Sequence, residues 1–415
     1  MAKILILISA HLCTAPRPQK EAETLASAGH DVTVRGFWFD PELVERDRIL
    51  IANKKWRFEP IIDFQPTTAH RRLINWGVRL QGRIARELFQ RFGIFSPELL
   101  GYGIKALLTA ARQARADLTI VHSEAGLWVG NQLLNQGLCV GVDFEDWFSE
   151  DLLPSARLAR PITKLKALES RFAHDCIYCL TTSHALAEAL AKAYQAPKPM
   201  VIYNVFRWAE REQLDHQQSD RRNLNLPSLH WFSQTIGPGR GLEMLFQALA
   251  YLTLPVEIHL RGNYPESARR WLEPLVPPAW RDRLFIHPTV PNAELLSRIA
   301  EHDIGLALEY TDIPSRNLTL TNKLFQYLQA GLAVIATDTA GQREILSQWP
   351  GLGRLIPSNN PLALAQALSD LLHAPNKLTN AKATALKAAQ EQLCWENQAN
   401  SLLQAAELAL NGRAT

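Results

Sequence analysis

The chain reads as an α/β protein of two halves, each built around a parallel sheet, and three observations predict it. Residues 4–9 form a short apolar strand, 11–18 a polar loop, 20–28 a helix closed by Gly29, and 32–34 a second strand. Strand, loop, helix, glycine and strand within about 30 residues make a βαβ unit, which requires parallel strands. A polar stretch at 207–228, rich in Gln, Asp and Arg, reads as a linker, and the strand 229–233 then restarts the alternation. The third observation is the run 318–345, which passes through loop, helix, strand, turn and helix. Leu324, Phe325 and Leu328 share one helical stripe, Thr321 or Asn322 can cap its start, and Gly331 can end it. Residues 332–336 are a continuous apolar run, the mark of a strand covered on both faces.

With 415 residues, 47% hydrophobic and 20% charged, the chain has material for two or three domains with sizeable cores. A net charge of +3 gives no bulk argument for nucleic acid. Basic residues do crowd one stretch, among them Arg35, Arg57, Arg72, Arg79, Arg83, Arg86 and Arg91, with Trp38, Trp56, Phe58 and Trp76 interleaved. That mixture suits an anionic membrane surface or an anionic acceptor; a solvated helix face whose long stems cover a core is the favoured reading. Five scattered cysteines imply no disulfide framework. Cys176-Ile-Tyr-Cys179 lacks a second pair to complete a zinc site and reads as buried strand thiols within 176–180. The opening apolar run is too short for a secretory signal, and nowhere do about 18 apolar residues run together, so a cytoplasmic setting is expected.

In the first half, the loop after the first strand lacks G-x-G-x-x-G, which argues against a dinucleotide site. It carries His11 and Arg17 at the carboxyl end of a strand, where open α/β sheets place ligands. Residues 40–100 hold charged helical stretches without a readable order of elements. A helix at Ile104–Ala114, a strand at 118–122, a helix at 126–137 and a strand at 139–143 follow. The two strands end in His122-Ser-Glu124 and in Asp143-Phe-Glu145-Asp146. Such groups can serve as a base to an acceptor, or can bond loop amides and cap the next helix. A helix at 162–173, a strand at 176–181, a helix at His184–Tyr194 capped by Ser183, and the run 201–205 close this half.

In the second half, the first strand leads into Gln234-Thr-Ile-Gly237-Pro-Gly239-Arg240-Gly241 and a helix at 242–252. Glycines around a single arginine ahead of a helix let backbone N–H groups approach an anion closely. The run lacks G-K-[ST], so it is not a Walker loop. Strands at 256–260 (leading into Gly262), at Leu284–His287 and at 303–308 (leading into Glu309), with a helix at Asn292–Ala300, bring the chain to the helix Asn322–Ala330. Lys323 lies in the first turn of that helix, where the macrodipole disfavours a cation. The conflict vanishes if an anion sits before the helix end. Two helices run from 361 to the end, the last over 382–410.

The string N-K-L-F-x-Y-L-x-A-G-x-x-V-I-A from Asn322, followed by D-T-x-G-x-x-E from Asp338, resembles the donor-nucleotide segment of GT-B glycosyltransferases. It is similar in particular to the bacterial family 4, or group 1, type. The string S-H-A-L-A-E-A-L-A-K-A-Y with V-I-Y-N-V after it is similar to the segment that ends the first Rossmann-like domain of these enzymes. The resemblance implies two Rossmann-like domains facing each other across a cleft: an acceptor-side domain at 1–206, a linker at 207–228, a donor domain at 229–380, and a terminal helix at 381–415 crossing back.

It further implies transfer of a sugar from a nucleotide-sugar to a saccharide or lipid-linked acceptor, in bacterial surface glycan or glycoconjugate synthesis. The donor-binding set carried over is Gln234, Gly237, Arg240, Gly241, Gly262, Glu309, Asn322, Lys323, Gln326 and Gly341. Arg240, Lys323 and helix N-termini would stabilise the departing diphosphate. No D-x-D stands between strands, so no metal and no cofactor is expected. The catalytic candidates come from the first half: His11, His122, Glu145 and Asp146. A peripheral contact with the inner face of a membrane is among the partners admitted, and nucleic acid is not. Two departures stand out. Gln234 occupies a position where many relatives carry Arg, and Gln326 one where they often carry a ribose-binding Glu. The position eight before Gln326 is Leu318, so a related pair of glutamates is absent, and Glu309 is the candidate replacement. A nucleotide-sugar epimerase on the same fold, or a catalytically silent scaffold subunit, stays open.

Overall fold

The computed structural model describes residues 1–64 and 69–412, and the side chains of residues 65–71, 154 and 155 lie outside that description. Contacts divide the chain into two units: Met1–Thr182, Leu186–Ile202 and Gln398–Thr415 form one, and Ser183–Ala185 with Tyr203–Asn397 the other.

Along the first part of the chain run β1 (Lys3–Leu7), α1 (Pro16–Ser27), β2 (Asp31–Trp38), α2 (Pro41–Ile51), β3 (Arg57–Asp63) and α3 (Ala69–Phe92). Next come α4 (Ile104–Ala114), β4 (Leu118–Val121), α5 (Ser123–Leu134), β5 (Val140–Phe144), α6 (Pro154–Arg157), α7 (Ile162–Asp175), β6 (Cys179–Thr181), α8 (His184–Tyr194) and β7 (Met200–Val201). The seven strands form one parallel sheet in the order β3-β2-β1-β4-β5-β6-β7. Its middle strands are apolar along their length because helices cover both faces, with Ile4, Leu5, Ile6, Ile120 and Val142 buried. Strand order reverses between β1 and β4, so the carboxyl ends of these two strands mark the switch point where such sheets hold ligands. β3 lies at the sheet edge, which is why it tolerates Pro60. β6 starts only at Cys179, while Cys176 follows α7; both thiols are buried and free, and burial pushes both above their ordinary range.

The second sheet is assembled from β8 (Ser228–Thr235), α9 (Leu242–Ala248), β9 (Glu257–Asn263), α10 (Glu266–Leu272), β10 (Leu284–His287), α11 (Asn292–Ala300) and β11 (Ile304–Ala307). α12 (Pro314–Leu318), α13 (Asn322–Ala330), β12 (Ala333–Thr337), α14 (Ala340–Gln348), β13 (Gly353–Ile356) and α15 (Pro361–Leu372) continue it. The order β10-β9-β8-β11-β12-β13 is that of a doubly wound parallel sheet, with its switch point between β8 and β11. Trp231, Phe246, Ile258, Leu306, Ile335 and Leu368 fill its core. α13 lies directly on β11: a Cβ at Gly305 would stand 2.2 Å from the Tyr327 ring. The end of the chain holds three helices where two were expected, since α16 (Pro375–Glu391) and α17 (Trp395–Asn411) are separate from α15. Pro375 cannot continue a preceding helix, which sets the first break.

Residues 207–228, linker-like in composition, are tied to the second unit by specific bonds. Asp220 N donates to Glu301 Oε2 at 2.6 Å, Arg221 Nε to Glu257 Oε2 at 3.0 Å, and Arg298 pairs with Asp215.

Candidate functional site

In the second unit, the β8/β11 switch point gathers three cations around one carboxylate. Glu309 follows β11 and is buried, its amide donating to Thr337 Oγ1 at 2.8 Å. Lys323, in the first turn of α13, donates from Nζ to Glu309 Oε1 at 2.8 Å and lies 5.8 Å from the centre of the Trp231 ring. Burial alone would raise the Glu309 carboxyl. Lys323, then Arg240 and Arg316, outweigh it and hold the group below the ordinary carboxylate range. Arg240 is exposed and Arg316 half-buried, so both remain open to a ligand.

The loop backbone explains its glycines. Gly241 has φ +82°, and a Cβ there would meet the Leu308 Cβ at 2.3 Å; only glycine brings the Arg240 loop this close to the end of β11. Trp231 Nε1 donates to the Arg240 carbonyl at 3.3 Å, and Arg316 Nη1 to the Gly239 carbonyl at 3.3 Å, which ties Arg316 to the loop that carries Arg240. Gly239 N donates to Glu243 Oε1 at 2.9 Å, and Tyr310 donates to Glu243 Oε2 at 3.1 Å. Gly262 allows β9 to run against the Ser233 carbonyl, which a Cβ would meet at 2.7 Å. Gly237 has open space around it, and Gln234 is exposed at the end of β8.

The amino end of α13 has the character of an anion site, with a resident anion. Thr321 stands at the N-cap without a side-chain bond, so neither expected capping residue caps. The Asn322 side-chain oxygen accepts from Asn204 Nδ2 at 2.9 Å instead. Expectation placed an external anion before Lys323; the chain supplies Glu309 as the immediate partner. Gln326 lies one turn further on, half-buried and with no hydrogen bond among the described residues. Gly341 opens α14 against the Thr319 carbonyl, which a Cβ would meet at 2.3 Å.

The first unit carries a second cluster at the β1/β4 switch point. His122, buried at the end of β4, has Nδ1 2.8 Å from Glu145 Oε1 and Nε2 3.0 Å from Glu21 Oε2. Burial pushes the imidazole down, but Glu21 and Glu145 overcome this and raise it to about 10, so it is a cation at neutral pH. His122 orients the two carboxylates, and burial raises Glu21 to about 7. Arg17 Nε pairs with Asp143, and its Nη1 donates to the Ile202 carbonyl at 2.6 Å. Glu145 keeps 28% of its side chain exposed and is the solvent-facing end of this chain of groups. Ser123, the residue after His122, holds φ +72°, a strained value for a non-glycine residue beside a candidate site. Glu21, His122 and Asp143 bring one ligand atom each within 4.8 Å of one another, a grouping a metal could use. Arg17 and the imidazolium already supply the positive charge there.

His11 is brought to a different task. Its Nε2 accepts from the amides of Phe39 at 2.9 Å and Asp40 at 3.1 Å, while Nδ1 donates to Asp47 Oδ2 at 3.1 Å. Both nitrogens hold loops together, which leaves none for an acceptor proton. Asp146 is half-buried and also has a partner. Arg316 and Glu21 escaped the sequence reading. Arg316 sits in a five-residue helix seven positions before Lys323, and only the fold brings its charge to bear on Glu309. Glu21 left one trace, a run of polar residues along α1 (Arg17, Lys20, Glu21 and Thr24), all buried.

Residues 229–374 match the family model Glycosyl transferases group 1. Among solved structures, sucrose-phosphate synthase from Thermosynechococcus elongatus superposes with a TM-score of 0.72 at 17% identity, over 99% of this chain and 100% of that one. HepE of Anabaena, solved with UDP and glucose, gives 0.70 at 15% identity over 98% and 100%. WaaG, a glycosyltransferase involved in lipopolysaccharide biosynthesis, gives 0.61 at 13% over 96% and 98%. No curated protein is significantly similar in sequence. At these identities the structural likeness establishes the fold, the two-sheet GT-B architecture.

Proposed function

We propose, from the premise that residues 229–374 are a group 1 glycosyltransferase domain and the chain a glycosyltransferase, that it moves a sugar from a nucleotide-sugar donor to a saccharide or lipid-linked acceptor. The observation that carries the donor is the set of three cations around Glu309 at the β8/β11 switch point. As the glycosidic bond breaks, negative charge grows on the leaving diphosphate. Arg240, Arg316 and the first-turn amides of α13 stabilise that charge. Lys323 is held in position by Glu309. This arrangement lets side chains do what a divalent ion does elsewhere, so activity is expected to survive excess chelator. Gln326 is assigned to the ribose. Glu145, oriented by His122, is the group proposed to receive the acceptor's proton.

HepE, solved with UDP-glucose, and WaaG, named for lipopolysaccharide synthesis, support a nucleotide-sugar donor and a role in bacterial surface glycans. Among the described residues no helix is long and apolar enough to cross a membrane. We read the protein as cytoplasmic, with peripheral contact at the inner membrane face. Incubation with a panel of nucleotide-sugars, with and without saccharide acceptors, tests the proposal. Release of nucleoside diphosphate that rises with acceptor supports it. Interconversion of the donor sugar without acceptor shows an epimerase, and no turnover with intact nucleotide binding shows a silent subunit.

A further inference from the structure

The basic and aromatic stretch folds in large part as α3, and α3 turns several of its large apolar residues away from the domain. Several of its inward positions are small or polar, beside the half-buried Val78 and Phe89. Asn75 is buried and donates to the Asp63 carbonyl at 3.3 Å, Ala85 is buried, and a Cβ at Gly82 would meet the Tyr102 ring at 2.8 Å. Its outward positions are large: Leu73 is 69% exposed, Trp76 65%, Ile84 49% and Phe92 69%. At about 100° per residue, Leu73, Ile84 and Leu88 fall on one stripe, with Trp76 and Phe92 at its margins. The favoured expectation, long basic stems covering a core beneath a solvated face, describes Arg79 and Arg86 but not the exposed apolar residues.

A group of exposed large apolar residues along one helix face, here with Arg91 among them, marks an interaction surface. Charge decides the occupant. α3 holds six arginines and one glutamate, and that glutamate is paired with Arg91 at 3.3 Å. Arg72, Arg79, Arg83 and Arg86 lie along one flank of the stripe. Arg79 is held over the Phe64 ring at 5.5 Å and Arg86 over Tyr102 at 5.9 Å, while Arg72 and Arg83 make no ion pair among the described residues. A second copy would set arginines against arginines. At the carboxyl end of α3, Phe89, Phe95, Leu158, Arg160, Ile162 and Lys164 line a depression of about 790 Å³, again apolar with a basic rim.

We propose that the outward face of α3 docks on an anionic lipid bilayer, with the apolar stripe at the headgroup–acyl boundary and the arginine flank on lipid phosphates. The proposal deepens the peripheral membrane contact read above and does not depend on sugar transfer. It is tested by co-sedimentation of the full chain with vesicles of phosphatidylcholine, with and without phosphatidylglycerol. Binding is expected only to the anionic vesicles, weakening as salt is raised. Leu73→Asp with Ile84→Asp should abolish it. Arg72→Gln with Arg83→Gln should lower partitioning about 25-fold, since each basic residue near such a surface contributes about fivefold. These positions are exposed, so melting temperatures and UDP binding by calorimetry should not change. Absence of vesicle binding by the natural chain overturns the proposal, as does binding indifferent to lipid charge or to the aspartates. A concentration-dependent dimer dissolved by Leu73→Asp would show a second copy on this face. Loss of UDP binding in the natural chain would instead count against the donor reading.

Discussion

Lys323 donates to Glu309 across 2.8 Å, with both groups buried, at a helix start that no side chain caps. Breaking such a pair strands the other charge and costs about 3–5 kcal/mol, whereas replacing both partners with apolar groups is often close to neutral. Lys323→Met and Glu309→Met should each lower stability by that amount in urea unfolding, and the double variant should recover most of it. Additive losses would show that the two do not act as a pair. The pH dependence has a definite sign. The folded Glu309 carboxyl lies below its ordinary value. Its stabilisation is therefore fully present above about pH 4.3 and is lost only as pH falls through the lower folded value. Acid unfolding of Glu309→Gln should lack that step.

Arg240 and Arg316 are bound to one loop and act on one carboxylate, yet both keep exposed surface. A charge-assisted hydrogen bond is worth roughly 1.5–3 kcal/mol, so Arg240→Ala and Arg316→Ala should each weaken UDP binding about ten- to hundredfold. Calorimetry with both variants reads this directly. Unchanged affinity in both would remove the diphosphate from this switch point.

His122 bridges Glu21 and Glu145, and those carboxylates raise its folded pKa to about 10. A raised histidine adds stability that is fully present below its unfolded value of about 6.5 and is lost as pH climbs through the folded value. Melting temperatures of the natural chain should thus fall between roughly pH 7 and 10 by more than those of His122→Asn. Parallel curves would show that the imidazole is neutral in the fold.

Legibility followed local punctuation. The sequence marks α13 to its ends because Gly331 closes it at φ +83°, and α4, α8, α11 and β10 are likewise bounded by breakers or clear periodicity. The stretch 40–100 failed for three separate reasons. β3 is an edge strand and admits Pro60, α2 follows β2 after a turn of two residues, and α3 places its apolar stripe outward, against the pattern of a core-facing helix. β13 opens on Gly353, whose backbone lies so close to Val334 that a Cβ would meet its carbonyl oxygen at 1.8 Å, and a four-residue strand beginning on glycine carries little signal. The donor-side glycines and Lys323 were visible as motifs. Arg316 and Glu21 were not, because tertiary geometry alone gives them their partners.

Gln326 supplies the sharpest remaining test. It lies four residues past Asn322, about one helical turn beyond the proposed diphosphate. It is half-buried and has no hydrogen bond among the described residues, whereas its neighbours Phe325 and Tyr327 are fully packed. A ribose presents hydroxyl donors. An ionised Glu accepts from them with charge-assisted bonds, while Gln offers one acceptor oxygen and an NH₂ that can only donate. Gln326→Glu should therefore tighten UDP binding by about 1 kcal/mol, partly offset by repulsion from the diphosphate. The partial exposure of this position predicts little change in melting temperature. If Gln326 instead served the core, the same substitution would bury an unpaired charge and melting would drop sharply. Affinity and melting temperature measured side by side separate the outcomes: tighter binding with normal melting places Gln326 at the ribose, and unchanged binding with normal melting removes it from the donor site.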